Sequence, residues 1–391
     1  MSAGSPPPTG SGSGVKVVRY ESAYLSPLTE FYRDIWDSEA TETGVAAARA
    51  EGAARNPVTP GEQVPTYLFM KEGRVLGHLS TIPVQVSSGG VSRQAYWFIG
   101  FMVRPEFRNG PIGYLLLKEA SQDLELTLSL TVATPSIRLF RSVGFAEIGL
   151  VPNFVRMLRP GRVLRRLDLD AIGLGGLPLL ARRAVRVAQA PGVAEIVGGA
   201  AGVGLGLWSA LRGPWLTSPA VAEGAASPTE LDAMWATIGS ALGSAAARDG
   251  KYLAWRYPIG QGDPYGAVRV ERDGRVRGVA YIRRPRDEGD PRLRGIKVAS
   301  LSDWIFDPGR SGDGLALLAG AERVARQQGA DALLTSVSHA ALPPLLRRRG
   351  YQRFAGNLVF LIKDRRGELP GSTTLADWWV SRGDMNADGV F

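Results

Sequence analysis

Residues 99–117 read Ile-Gly-Phe-Met-Val-Arg-Pro-Glu-Phe-Arg-Asn-Gly-Pro-Ile-Gly-Tyr-Leu-Leu-Leu. The apolar run Tyr96 to Val103 predicts a strand, Arg104 to Gly110 a loop, and the helix formers Ile112 to Ala120 a helix. A strand that feeds a loop at a helix N-terminus leaves the first-turn amides without partners. The helix dipole then favours negative charge at that point. Gly110 and Gly113 let the backbone approach a ligand closely. The stretch therefore reads as a diphosphate site.

The pattern resembles the acetyl-coenzyme A loop of the GNAT acyltransferase superfamily. Val103, Pro105, Arg108, Asn109, Gly110, Ile112 and Gly113 match that loop, and Pro111 stands where its first glycine is expected. A proline removes one N–H from the loop, yet it suits the first position of a helix. The resemblance implies that Met102, Val103, Arg108, Asn109, Gly110, Ile112 and Gly113 contact acetyl-coenzyme A or another acyl-coenzyme A. A second motif follows at residues 134–145, Thr-Pro-Ser-Ile-Arg-Leu-Phe-Arg-Ser-Val-Gly-Phe. Its Leu139-Phe140 and Gly144-Phe145 resemble the family's next helix and the turn after it. Gly144 suits a helix end that needs positive φ. The strand predicted at Leu126 to Val132 lies between the two motifs, in the family's order.

The same order recurs in the second half. A hairpin at Tyr67–Val86, turning at Glu72-Gly73, is echoed by one at Tyr265–Arg283, turning at Asp273-Gly274. The strand Val298–Phe306 and the loop Gly309–Gly314 echo the first motif. Leu345 to Tyr351 echoes the second. The expected fold is α/β (α+β). It comprises two GNAT-like units, each a mixed, mostly antiparallel sheet flanked by helices, joined by a helical linker. The division expected is a disordered Ser/Gly/Pro tail at 1–14, an acyl-coenzyme A-binding domain at 15–158, a linker at 159–219, a degenerate second domain at 220–365 and a tail at 366–391. Asp249–Tyr257 and Asp377–Asp384 are similar to segments of tandem GNAT-like proteins of bacterial surface-polysaccharide loci, which points to a sugar or polysaccharide precursor as acceptor. In such tandem proteins often one unit alone keeps coenzyme A.

Composition narrows the chemistry. The 391 residues include no cysteine, which excludes disulfides, zinc–thiolate sites and a cysteine nucleophile. With two histidines, a multi-histidine metal centre is not expected, and no metal is called for. The net charge of +9 suits an anionic ligand or surface. No aromatic-and-basic motif points to nucleic acid. Residues 159–215 hold eight arginines against three acids. The run Pro191–Leu211 is long enough to span a bilayer, but its glycines and alanines favour a packed linker. The basic half before it suits peripheral contact with an anionic membrane. The first residues lack the basic start and apolar core of a signal peptide, so a cytoplasmic location is expected. Oligomeric state is not legible.

Acyl transfer to an amine needs a neutral nucleophile, often a base, and a donor for the developing oxyanion. GNAT enzymes often place a tyrosine on the second motif helix as acid. Phe140 and Leu346 stand at that position in the two halves, and neither can donate a proton. Two weak candidates for a base remain. His78 lies on a predicted strand and would titrate near neutral pH, and Asp303 lies on the second half's central strand. A structural role is the ordinary expectation for each. The leading reading is a GNAT-type N-acyltransferase acting on an amine or hydroxyl. Alternatives are a non-catalytic ligand-binding protein of the same architecture and an aminoacyl-tRNA-dependent transferase.

Overall fold

The computed structural model describes residues 16–131, 134–166, 187, 189, 190, 193, 196, 200, 220–260, 262–290, 293–369 and 374–389. The 1–14 stretch and most of the expected linker at 159–219 lie outside the described residues. Among the described residues no helix is long and apolar enough to cross a membrane.

The first half runs β1 (Lys16–Arg19), α1 (Leu25–Ile35), α2 (Glu42–Arg55), β2 (Thr66–Lys71), β3 (Arg74–Ser88), β4 (Val91–Val103), α3 (Ile112–Asp123), β5 (Leu126–Thr131), α4 (Thr134–Ser142), β6 (Ala146–Met157) and α5 (Pro160–Arg166). The second runs β7 (Ala220–Glu223), α6 (Pro228–Ile238), β8 (Ala245–Ala246), α7 (Gly250–Arg256), β9 (Tyr265–Arg272), β10 (Arg275–Arg283), β11 (Val298–Phe306), α8 (Ser311–Gln327), β12 (Ala332–Ser336), α9 (Leu342–Arg348) and β13 (Gln352–Asp364). The two hairpins close on the same chemistry. Glu72-Gly73 and Asp273-Gly274 all take positive φ, as the two-residue turns that match strand twist require. α8 begins at Ser311, inside the loop expected at Gly309–Gly314, so that loop is shorter than expected. α2 is rich in alanine, and its first turn is capped by the Thr41 hydroxyl, which accepts from the Gly44 amide.

The strands form one mixed sheet in the order β1-β2-β3-β4-β5-β13-β6-β12-β11-β10-β9-β7, with β8 on β3. Pairing is antiparallel except for β4 with β5 and β11 with β12. The last strand of each half lies against the other half. β13 sits between β5 and β6, and β6 passes on to β12. The middle of β13, Leu358 to Leu361, is buried on both faces, so it must be covered on both and paired on both edges. Insertion between two strands of the first half meets that demand.

Helices cover the sheet on opposite faces. Leu28 and Phe31 of α1 pack with Leu68, Met70 and Val75. On the other face Leu116, Leu117 and Ala120 of α3 pack with Leu79, Phe98, Phe140 and Phe145. A third and larger core runs through both halves, from Trp97 and Phe154 to Trp304, Phe306, Trp378 and Trp379.

The position of α3 depends on a glycine beneath it. A Cβ at Gly77 would come within 2.7 Å of Leu116 Cδ1 and 2.8 Å of Ile112 Cγ2. Both neighbours are buried. Gly77→Ala is expected to lower unfolding stability by about 1–3 kcal/mol, the usual cost of overpacking. A urea midpoint equal to that of the parent chain would show that the helix does not depend on this close approach.

Candidate functional site

The site grows from the end of β4. β4 and β5 are paired only at Tyr96–Thr127 and Trp97–Leu128, so the two strands are no longer joined beyond Trp97. On its other side β4 carries an irregularity. Met102 lies opposite His78 and Ile99 opposite Ser80, so Gly100 and Phe101 together face Leu79. Gly100 takes a φ of 58°, a left-handed conformation that favours glycine. Bulges of this kind re-aim the strand and interrupt the ladder.

After β4 the chain turns through Arg104–Gly110 into α3. Arg104 is buried and held inside the fold by Asp34 at 2.6 Å, Glu30 at 3.5 Å and the Val75 carbonyl. Arg108 is exposed and donates from Nε to the Val103 carbonyl at 3.2 Å, with Nη2 3.6 Å from the Met102 sulfur. The Gly110 amide donates to the Phe107 carbonyl. Among the described residues no backbone carbonyl accepts from the amides of Asn109, Ile112, Gly113 or Tyr114. No acidic residue lies in the first turn of α3. Met102, Val103, Arg108, Asn109, Gly110, Ile112 and Gly113 thus lie in one turn and helix start that combines unpaired donors with an exposed cation, features that suit an anion. Gly113 is glycine for a further reason. A Cβ there would meet Leu139 Cδ2 at 2.9 Å and Phe101 Cζ at 3.2 Å, so its lack of a side chain lets α4 pack beneath the helix start.

His78 lies on the face of the sheet covered by α1. It is buried among Phe31, Tyr32 and Trp36, with ring centroids 5.2–6.0 Å from its own. Nδ1 is 2.8 Å from the Gly100 carbonyl, and Nε2 is 3.2 Å from the Tyr32 hydroxyl. A carbonyl can only accept, so Nδ1 carries the proton and Nε2 accepts from Tyr32. Burial lowers the His78 pKa to about 4. The ring is therefore neutral at neutral pH and holds the carbonyl of the bulge.

Asp303 is not brought to that turn. It lies on β11 in the second half and is buried. Its Oδ2 accepts from Arg248 Nε at 3.1 Å and from the Tyr257 hydroxyl at 3.2 Å. Arg248, wholly buried, also pairs with Asp384 at 2.9 Å. Burial raises the Asp384 pKa, against the pull of the Arg248 guanidinium. Arg256 pairs with Asp388 at 3.1 Å and donates twice to the Gly383 carbonyl. These contacts anchor a carboxyl-terminal segment whose residues Trp378, Trp379 and Val380 are buried.

That segment fills the second half's counterpart of the opening. β11 and β12 are paired only from Val298–Ala332 to Ser300–Leu334, and β11 carries its own irregularity at Ser302. The Gly383 amide donates to the Ser302 carbonyl at 2.7 Å, and the Ser338 amide donates to the Val380 carbonyl at 3.1 Å. The first turn of α8 carries Asp313, buried and paired with Arg272 at 2.7 Å. Where the first half presents unpaired amides, the second presents a carboxylate. The same segment also reaches the first half's opening: residues 384–389 lie against both β4 and β5, and the Leu130 amide donates to the Met385 sulfur at 3.1 Å. Residue types in sequence marked the 249–257 and 377–384 stretches but carried no signal of these long-range ion pairs. Among the described residues no group of three or more metal-ligating side chains comes together.

No known family description matches the chain, and no curated protein matches it. Solved structures do. A protein of unknown function from Enterococcus faecalis V583, described as a probable N-acyltransferase, is similar at a TM-score of 0.55 and 10% identity over 90% of this chain and 72% of that one. Saccharomyces cerevisiae N-myristoyltransferase with bound myristoyl-CoA is similar at 0.53 and 12% identity, over 92% and 85%. A GCN5-related N-acetyltransferase from Kribbella flavida is similar at 0.51 and 12% identity, over 89% and 70%. At such identities the likeness concerns the fold, which this chain shares with these three structures.

Proposed function

We propose that the chain is an acyltransferase that takes its acyl group from coenzyme A bound by the first half and passes it to an amine or hydroxyl. The observation that carries this reading is the set of unpaired amides at Asn109, Ile112, Gly113 and Tyr114 beside Arg108, at the mouth of the opening between β4 and β5. Those donors suit a diphosphate, and the opening suits an extended arm laid along a strand edge. The acyl-coenzyme A named with the yeast structure agrees with a donor of this kind.

In the reaction the nucleophile adds to the thioester carbonyl, the C–N or C–O bond forms, the C–S bond breaks and the thiolate leaves. The nucleophile's proton goes to the thiolate or to water. Binding both partners in register supplies much of the rate. Neither His78 nor Asp303, the two candidates for a base, suits that role. The lone pair of His78 accepts from Tyr32, and Asp303 is tied to Arg248 and Tyr257. We assign His78 to positioning, through the Gly100 carbonyl that fixes the bulge. The filled opening and Asp313 leave the second half without a place for coenzyme A, and its part is to complete the sheet and wall the site.

Three outcomes test this reading. Calorimetry with acetyl-coenzyme A is expected to show one site per chain. Gly110→Val should weaken binding about tenfold or more by filling the mouth of the turn. Gly312→Val, whose new side chain would meet open space, should bind as the parent does. Two sites per chain, or the reverse ranking of these variants, would place the donor elsewhere.

His78→Gln keeps a donor for Gly100 and an acceptor for Tyr32, so turnover with saturating donor should fall by less than about tenfold. A loss of about a hundredfold together with a missing titration in the rate profile would restore a base role.

The third outcome concerns acid stability. The folded ring titrates at about 4 and the unfolded one at 6.5, so acid protonates the unfolded chain first. The stabilisation is complete above pH 6.5 and is lost as pH falls towards 4. The melting temperature of the parent chain should therefore drop more steeply than that of His78→Gln over this range. Parallel curves would contradict the burial of a neutral ring.

A further inference from the structure

A cavity of about 330 Å³ lies between the two halves, on the face of β4 turned away from α3. Asn56, Ile82, Pro83 and Ile99 of the first half line it together with Trp255 and Arg256 of α7. Ile99 adjoins the Gly100 bulge and lies beyond Trp97, where β4 is no longer joined to β5. The cavity therefore adjoins the stretch of β4 that lies beyond its pairing with β5.

We infer that this cavity is the acceptor's site and that it takes a compact, oxygen-rich molecule rather than a polycation. The inference rests on the acyltransferase reading and names the substrate class of the same site.

Asn56 carries the argument. It is 1% exposed. Its Oδ1 accepts from the Val58 amide at 2.8 Å and the Thr59 amide at 2.9 Å, which fixes the orientation of the side-chain amide. Its Nδ2 is then a buried donor with no partner. Leaving a buried donor unpaired is costly, and a ligand oxygen in the cavity would satisfy it. The indole of Trp255 and the ring of Pro83 supply apolar surface for the carbon face of a small ring. Charge points the same way. No carboxylate lines the cavity among the described residues. The one charged group there, Arg256, spends its donors on Gly383, Tyr265 and Asp388. A polycation finds no counter-charge, whereas hydroxyl and carbonyl oxygens find a donor.

The test uses the full chain, acetyl-coenzyme A, and release of the coenzyme A thiol. Glucosamine and methyl glucoside serve as compact oxygen-rich probes, and spermidine as the polycation. Either sugar probe should support release at least tenfold faster than spermidine at equal concentration. Asn56→Asp keeps the oxygen that holds Val58 and Thr59 but removes the donor and adds negative charge. It should raise KM for the sugar probe about tenfold or more, improve spermidine, and leave acetyl-coenzyme A affinity unchanged in calorimetry. Trp255→Ala should also raise KM with little effect on donor affinity. Faster release with spermidine, no release with either sugar while the donor binds, or an unchanged KM in Asn56→Asp would overturn the assignment. Calorimetry with methyl glucoside alone, on the parent chain and on Asn56→Asp, tests the cavity without the donor. Equal heats from the two proteins would also overturn it. Failure of acetyl-coenzyme A itself to bind would instead count against the acyltransferase reading.

Discussion

The insertion of β13 between β5 and β6 is the constraint on which the remaining structure depends. A strand that is apolar on both faces cannot lie at an edge, and an exposed edge would leave its amides unpaired. Placing it in the first half's sheet carries β6 across to β12, so neither half closes its sheet alone. The arrangement brings the two parallel pairs, β4–β5 and β11–β12, into the same molecule-wide sheet. It also brings α7 of the second half over β3 and β4 of the first. A wall of the cavity, at Trp255 and Arg256, thus comes from residues about two hundred positions away from Asn56.

The two halves share a frame and differ in what occupies it. Each has a parallel pair that is joined over two or three residues, and each has an irregular central strand. In the first half the bulge carbonyl is held by a histidine that adds no charge. In the second it is taken by the Gly383 amide, and the chain's own segment fills the gap. The helix that follows begins with free amides in one half and with a buried aspartate in the other. A negative group at a helix start discourages a second one, so a single residue such as Asp313 removes the local attraction for phosphate.

Charge in this protein serves two distinct purposes. Exposed Arg108 is available to a ligand, whereas Arg248 and Arg256 are enclosed with Asp303, Asp384 and Asp388. An enclosed set of this kind gains little net stability, because desolvation offsets attraction, but removal of one partner leaves a buried charge behind. Its effect is to hold residues 381–388 in one place against β11, with Met385 at β5. Asp303 is a case where strand position suggested chemistry and the surrounding ions decide otherwise.

Much of the fold was legible in the chain by itself. Alternating apolar residues, paired turns at Glu72-Gly73 and Asp273-Gly274, and the repeated strand–loop–helix order are local signals, and the structure keeps them. The gathering of Met102 to Gly113 was legible for the same reason, since a strand, a loop and a helix start are contiguous in sequence. Tertiary structure alone decided which loop keeps its amides free, because Asp313 is buried by packing against Arg272, a residue of another strand. It alone decided the state of His78, since strand alternation says nothing about the Phe31, Tyr32 and Trp36 rings that close over it. It also decided the strand exchange and the unpaired Nδ2 of Asn56. Pairing partners and desolvation are set by residues far apart in the chain, and no local pattern records them.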